Sequence, residues 1–171
     1  ALQGSLVKSA LLIYLNRTCF NGLYRENASG GFNVPFGRNR NPTICDEENL
    51  RLVSDSLKKC VITNVTFKDA VSSANKGDFI YFDPPYYPLS ATSSFTSDSS
   101  NNFLENEQIE LLEVFRKLSK KGCYVAMSNS DTDFIKNLYS EFSIKYVNAA
   151  RSINANGNKR GKINEVLITN Y

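Results

Sequence analysis

The sequence predicts an α/β fold in which short buried strands alternate with amphipathic helices around a largely parallel sheet. Three observations predict it. Runs rich in β-branched and aromatic residues, such as Phe79-Ile80-Tyr81-Phe82 and Val166-Leu167-Ile168, are separated by stretches whose apolar residues recur at helical spacing. The chain of 171 residues is 42% hydrophobic and 22% charged, which suits one domain with a real core. Its stiffest tetrapeptide, Asp83-Pro84-Pro85-Tyr86, ends one of those apolar runs, where open α/β sheets place their ligands.

The elements follow in order. Leu6, Ala10, Ile13 and Tyr14 predict a helix over 6–15, ending at the polar turn Asn16-Arg17-Thr18. Residues 19–38 concentrate turn signals among aromatic and polar residues, and Ser29-Gly30-Gly31 between Leu23-Tyr24-Arg25 and Phe32-Asn33-Val34 reads as a hairpin tip. Leu50, Val53 and Leu57 mark a helix over 46–59, its first turn acidic at Asp46, Glu47 and Glu48 as the macrodipole favours. The β-branched run Val61-Ile62-Thr63-Asn64-Val65 is expected as a short strand. A helical stretch through Ala70 and Val71 and a turn at Asn75-Lys76-Gly77 then lead into the strand over 78–82. Residues 90–102 are almost all small and polar apart from Phe95, so they bury too little surface to order themselves and are expected to be mobile. Ile109, Leu112, Phe115 and Leu118 restore helical spacing over 103–120, closed by Gly122. A strand over 123–128, the turn Asn129-Ser130-Asp131, a short helix over 133–139 and strands over 143–147 and 165–171 complete the chain.

Composition excludes several chemistries. There is no histidine, which removes Ser-His-Asp and Cys-His nucleophilic catalysis and every histidine metal site. Cys19, Cys45, Cys60 and Cys123 form no CxxC pair, so neither a zinc site nor a disulfide framework is indicated, and no metal is expected. The net charge is +3, with basic residues gathered at Arg17, Arg25, Arg38 and Arg40 and again at Lys145, Arg151, Lys159, Arg160 and Lys162. Two such clusters fit a polyanionic partner, and fit a solvated surface about as well. The apolar run Ala10-Leu11-Leu12-Ile13-Tyr14-Leu15 is far too short to span a membrane and lacks a cleavage-site pattern, so a cytoplasmic setting is expected.

The tetrapeptide carries the chemistry. Two consecutive prolines cannot continue a strand, so the backbone is stiff there. The Asp83 carboxylate and the Pro84 carbonyl can both accept from one planar NH2 group, while the Tyr86 ring offers a stacking face to the heterocycle bearing it. An exocyclic amine of a base fits that description. The same tetrapeptide also serves as a Pro-Pro turn whose aspartate caps local backbone. The hairpin points the same way as the amine reading, because arginines read guanine edges and aromatic rings wedge between base steps.

Together, Asp83-Pro84-Pro85-Tyr86, the segments Phe20-Asn21-Gly22-Leu23 and Phe32-Asn33-Val34-Pro35-Phe36-Gly37, Pro88-Leu89-Ser90-Ala91-Thr92 with Phe95-Thr96, Ser128-Asn129-Ser130-Asp131-Thr132, and Arg151-Ser152-Ile153 with Lys162 and Glu165-Val166-Leu167 resemble the Dam-type, D12 class DNA adenine-N6 methyltransferases over nearly the whole chain. The resemblance implies a Rossmann-like S-adenosylmethionine-dependent methyltransferase sheet with an inserted target-recognition hairpin and helical region. It implies residues 1–58 as the target-recognition region, hairpin about 19–38, and 59–171 as the C-terminal part of the catalytic domain. The implied reaction transfers methyl from S-adenosyl-L-methionine to a flipped-out adenine in double-stranded DNA, commonly at GATC, in a bacterial or phage-encoded enzyme with a possible restriction endonuclease companion. Carried onto this sequence, Asp83, Pro84 and Tyr86 are the catalytic residues, and Phe67, Asp83 and Pro85 border the cofactor. Arg25 is the guanine reader, with Leu23 and Pro35 against apolar groove surface, Asn27 in support and Phe20 as the wedge. Arg17, Asn21, Arg38, Phe95, Lys159 and Arg160 complete the DNA contacts, Phe95 closing over the target.

The sequence also departs from the pattern. The family's glycine-rich FxGxG strand-to-helix turn, which holds the methionine end of the cofactor, is not in this sequence, and Thr66 stands where an acidic residue often precedes the aromatic at Phe67. The chain is therefore expected to be the C-terminal portion of a larger enzyme, with a catalytically inactive DNA-binding remnant as the alternative. Glutamine-modifying and cytosine-N4 enzymes carry Asn or Ser at the first tetrad position, so Asp83 favours adenine.

Overall fold

A computed structural model of the chain describes residues 2–27, 29–89, 103–150 and 162–171. Phe95, Lys159, Arg160 and the polar loop over 90–102, with the roles expected for them, lie outside the described residues. The elements are α1 (Leu2–Thr18), a 3-10 turn (Phe20–Gly22), α2 (Glu47–Leu57), α3 (Phe67–Ala70), β1 (Phe79–Phe82), α4 (Glu105–Lys121), β2 (Tyr124–Ser130), α5 (Asp133–Leu138), β3 (Ser143–Ala150) and β4 (Lys162–Thr169). They fall into two units, Ala1–Thr63 and Asn64–Tyr171.

The second unit holds a four-stranded sheet in the order β1-β2-β4-β3. β1 and β2 run parallel, whereas β4 is antiparallel to both β2 and β3. The sheet is therefore mixed, and the expectation of a largely parallel one is corrected. A parallel pair needs a crossover, which α4 supplies between β1 and β2; β3 and β4 follow one another with no described helix between them and pair antiparallel, Ser143 opposite Thr169. The expected strand over 61–65 is not there either. Val61 is 92% exposed, and no described strand pairs with this segment, so its β-branched side chains have no pleated surface to fit. β2 runs through Ser130, which makes Asn129 and Ser130 strand residues rather than a turn.

One face of the sheet carries the core. Leu111, Leu112, Phe115 and Leu118 from α4, with Ile135 and Tyr139 from α5 and its end, pack with Phe82, Val125, Met127, Val166 and Ile168. Phe115 is fully buried and meets the rings of Tyr139 and Phe142 edge-on, with centroids 5.6 and 4.7 Å away. The ends of α4 are set locally. The Glu107 carboxylate accepts the Leu104 N–H at 2.9 Å, and Gly122, at φ 85°, takes the left-handed conformation that stops the helix.

In the first unit, α1 leads into the hairpin through Asn21 and Gly22, both at positive φ. Isolated antiparallel bridges, Cys19 with Phe36 and Glu26 with Phe32, hold its arms instead of a continuous ladder. Gly37 is required at the base, because a Cβ there would lie 2.3 Å from the Cys19 carbonyl oxygen. At the tip the Asn27 side chain accepts from the Ser29 and Gly31 N–H groups at 3.1 and 2.8 Å. Asp46 caps α2 by accepting the Asn49 N–H at 3.2 Å.

Phe115→Ala should lower the unfolding free energy by about 3–5 kcal/mol, the loss expected for a buried aromatic whose site cannot collapse. Urea unfolding followed by far-ultraviolet circular dichroism measures it, and a loss under about 1 kcal/mol would mean this face is not the core.

Candidate active site

Phe82 anchors the end of β1 in the core, and Asp83 is the first residue beyond it. The parallel register pairs Phe82 with Met127, so the next residue of β2, Ser128, stands beside Asp83. The Ser128 hydroxyl donates to Asp83 Oδ1 at 2.8 Å. Among the described residues, nothing donates to Asp83 Oδ2 or to the Pro84 carbonyl, and Asp83 has no ion-pair partner. Two acceptors thus remain open, one on a carboxylate whose other oxygen is already fixed.

The two tyrosines that follow have different surroundings. Tyr87 is tied down: its ring stacks on Phe134 at 4.4 Å and 26°, and its hydroxyl donates to Glu105 at 2.9 Å. Tyr86 is half-buried, donates through its hydroxyl to Glu165 Oε2 at 3.3 Å, and has no ring partner among the described aromatic pairs. Of the two rings, only that of Tyr87 has a described aromatic partner. Burial raises the Tyr86 phenol above its ordinary value of 10.0; the Ser128 hydroxyl pulls the other way, and the Glu165 and Asp83 carboxylates add to the rise.

A cavity of about 270 Å³ adjoins the tetrad, lined by Phe67, Tyr81, Phe82, Asp83, Pro84, Pro85, Phe103 and Leu111. It is slightly below the range for a whole drug-sized ligand and suits the apolar ring end of one. Thr66 caps α3 by accepting the Asp69 N–H at 3.2 Å, which starts the helix at Phe67, and the Phe67 ring meets Phe103 edge-on at 6.0 Å. A larger cavity of about 450 Å³ lies along α3 and α4 but contains no tetrad residue, and its rim is occupied by the Lys68–Glu110 ion pair.

The structure therefore gathers Phe67, Asp83, Pro84, Pro85 and Tyr86 in one unit, while Arg17, Phe20, Asn21, Leu23, Arg25, Asn27, Pro35 and Arg38 belong to the other. Within that other unit, Arg25 donates from Nε and Nη2 to the Asn33 carbonyl at 3.0 and 2.6 Å, so its guanidinium is held across the hairpin with Nη1 free of described partners. Phe20 is 47% exposed, and Arg17, Pro35 and Arg38 are exposed. The tip bonds described above commit Asn27 Oδ1 to shaping the turn. Sequence reasoning gave no role to Ser128, Glu165 or Phe103. The signal available for Ser128 was the abrupt change from apolar to polar residues along Val125-Ala126-Met127-Ser128-Asn129-Ser130; Glu165 stood in the segment Glu165-Val166-Leu167, which shares the family resemblance, but nothing local linked it to Tyr86.

Among the described residues no group of histidine, cysteine, aspartate or glutamate is arranged to hold a metal ion, and no helix is long and apolar enough to cross a membrane.

Sheet and site together define an α/β protein with an acceptor site beyond the carboxyl end of a strand. The chain belongs to the D12 class N6 adenine-specific DNA methyltransferases, whose family model matches residues 4–153. It is 49% identical over 164 residues to the type II methyltransferase M.MjaIII of Methanocaldococcus jannaschii, covering 95% of this chain and 57% of that protein. It is 43% identical over 166 residues to the type II methyltransferase M1.LlaDCHI of Lactococcus lactis subsp. cremoris, covering 96% and 58%. It is 36% identical over 165 residues to the DNA adenine methylase of Escherichia coli (strain K12), covering 96% and 59%. The chain thus spans a little under three fifths of the length of these relatives.

Because its phenol is raised, Tyr86 should still be more than half protonated at pH 10.0 and lose its hydrogen bond to Glu165 only as the pH rises further. Ultraviolet titration checks it. The difference between the wild-type and Tyr86→Phe curves should show one tyrosinate with its midpoint above that pH, and a midpoint at or below it would place Tyr86 in open solvent.

Proposed function

We propose that this chain is the C-terminal portion of a DNA adenine-N6 methyltransferase that uses S-adenosyl-L-methionine and acts on a flipped-out adenine, with GATC as the expected site. The observation that carries the reading is the pair of open acceptors, Asp83 Oδ2 and the Pro84 carbonyl, beside the free Tyr86 ring. S-Adenosyl-L-methionine supplies an electrophilic methyl group on a sulfonium, so neither a metal nor a histidine is needed. Asp83 and Pro84 would accept the two N–H bonds of the adenine amine, aim its lone pair and disperse the positive charge that grows on nitrogen; as the N–CH3 bond forms and the S–CH3 bond breaks, the neutral thioether leaves and one amine proton passes to solvent by way of the Asp83 carboxylate. Tyr86 stacks on the extruded base, returning about 1–3 kcal/mol against an unstacking cost of a few kcal/mol. The apolar cavity between Phe67, Phe103 and Pro85 fits the adenine end of the cofactor.

The portion reading is supported by the sheet. β1 is an edge strand, and Phe79 and Tyr81 on its outer face are 62% and 53% exposed, an arrangement suited to a further strand and covering helices. In that reading the four strands are the C-terminal part of a Rossmann-like sheet, and the upstream portion carries the glycine-rich turn for the methionine end. The hairpin of the first unit reads the duplex, Arg25 at a guanine and Phe20 as the wedge. A cytoplasmic setting and a companion restriction endonuclease belong to the same proposal.

In the chain joined to the upstream portion of a relative, Asp83→Ala should lower the single-turnover methylation rate by at least about 10²–10³-fold while duplex affinity stays within about twofold. Tyr86→Phe should retain most of the rate and Tyr86→Ala lose about tenfold or more, since stacking uses the ring and not the hydroxyl. Normal turnover by Asp83→Ala would overturn the reading. Failure of the joined wild type to bind S-adenosyl-L-methionine in a calorimetric titration would leave a DNA-binding remnant.

Arg25→Ala should weaken binding to the preferred duplex by about 1–3 kcal/mol and relax discrimination at one base pair. Fluorescence anisotropy on specific and scrambled duplexes separates the cases, and an equal loss on both would remove Arg25 from base readout.

A further inference from the structure

The end of β2 does more than orient Asp83. Asn129 and Gln108 are each 0% exposed, and Gln108 sits on the face of α4 that otherwise presents Leu111, Leu112 and Phe115 to the core. Asn129 Oδ1 accepts the Tyr87 N–H at 3.0 Å and the Ser130 N–H at 2.8 Å. Asn129 Nδ2 donates to Gln108 Oε1 at 3.1 Å, and Gln108 Nε2 donates to the Pro85 carbonyl at 3.1 Å. Ser130 Oγ donates to the Tyr87 carbonyl at 2.7 Å.

The polarity of this relay is fixed from both ends. Two backbone N–H groups force Asn129 to present its oxygen to the loop, so its NH2 must face Gln108. Gln108 must then present its own oxygen to Asn129, which leaves its NH2 for Pro85. The two peptide groups so held, Pro85–Tyr86 and Tyr86–Tyr87, are the ones that flank Tyr86. Their planes set the φ and ψ of Tyr86 and the direction in which its ring leaves the backbone. A buried carboxamide pair costs more desolvation than the leucine that the helix pattern calls for, and core packing alone gives no reason for it.

We propose that the Gln108–Asn129 pair is a positioning element for methyl transfer, holding the Tyr86 ring and the adjoining Pro84 carbonyl in the arrangement that receives the amine. The proposal rests on the reading of Asp83, Pro84 and Tyr86 as the amine-acceptor site. The pair touches no substrate; it acts through the loop. A displacement of about 1 Å at a reacting group is enough to cost about 10²-fold in rate, whereas binding of the duplex and of the cofactor is distributed over many other residues.

Gln108→Met removes both the donor to Pro85 and the acceptor for Asn129 at nearly the same volume. Asn129→Asp keeps the two backbone bonds and removes the donor to Gln108. Both variants, with Asp83→Ala as the control, are made in the chain joined to the upstream portion, and their melting temperatures are measured alongside. Each should lower the single-turnover rate with saturating duplex and S-adenosyl-L-methionine by about tenfold or more, with both dissociation constants within about twofold of the wild type. A rate within twofold of the wild type for both variants, while Asp83→Ala is inactive, would overturn the clamp and leave the site reading intact. An active Asp83→Ala would overturn the site reading instead. If one variant unfolds, the other decides; a loss that tracks melting temperature and weakens both dissociation constants in proportion would show a structural pair and overturn the proposal.

Discussion

The parallel register of β1 and β2 is the constraint on which the site depends. Because Phe82 lies opposite Met127, the residues that follow on the two strands, Asp83 and Ser128, emerge side by side at the sheet's carboxyl edge. A slip of one residue would turn every side chain of β1 to the other face, burying Tyr81 in place of Phe82 and separating the carboxylate from the hydroxyl that orients it. Register is held from the core side. Ile80 and Phe82 pack toward α4 beside Val125 and Met127, so the apolar packing that stabilises the sheet also aligns the acceptor. The prolines add stiffness beyond the strand end, where no ladder remains to supply it.

Much of this could be read in the sequence, for reasons that differ by element. α4 was legible because its apolar spacing, acidic start and closing Gly122 agree, and local signals are enough for a helix that packs on one face. The tetrad was legible because proline chemistry is local. Strand pairing is not local: residues 61–65 have the propensity of a strand and no described partner, and the direction of β4 follows from which strands it joins, not from its own residues. The same limit applies to the site. Gln108 reads as an ordinary polar residue of an amphipathic helix, and only the position of the Pro85 carbonyl 3.1 Å away makes it informative. Glu165 reaches Tyr86 because β4 inserts beside β2, and that is a fact of topology.

The first unit is built on other terms. Its hairpin has two isolated bridges, positive φ at Asn21, Gly22 and Gly30, and a base so close that only glycine fits at position 37. Thr18 and Cys19 are its only described buried residues, so side-chain and backbone hydrogen bonds shape it more than apolar burial does. Asn27 folds the tip, and Arg25 spans the arms to Asn33. An arm held this way keeps its aromatic and basic side chains outward and can adjust without disturbing a core. Those properties are in keeping with the duplex-reading role proposed for the hairpin.

The groups around the tetrad also explain why its supports are neutral. Lys68, Arg116 and Lys136 in this unit are engaged in ion pairs with Glu110, with Glu113 and Glu141, and with Asp131 and Asp133, and none pairs with Asp83. The partner of Asp83 is instead a serine hydroxyl, which fixes the direction of the carboxylate and leaves its charge in place. A cation there would orient it equally well but would, in the proposed reading, oppose the positive charge that develops on an attacking amine. The same reasoning extends to the carboxamides of Gln108 and Asn129, which supply donors and acceptors at zero exposure without a net charge. A lysine in place of Gln108 could donate to the Pro85 carbonyl, yet its ammonium would need a buried counter-charge that the neutral Asn129 does not supply.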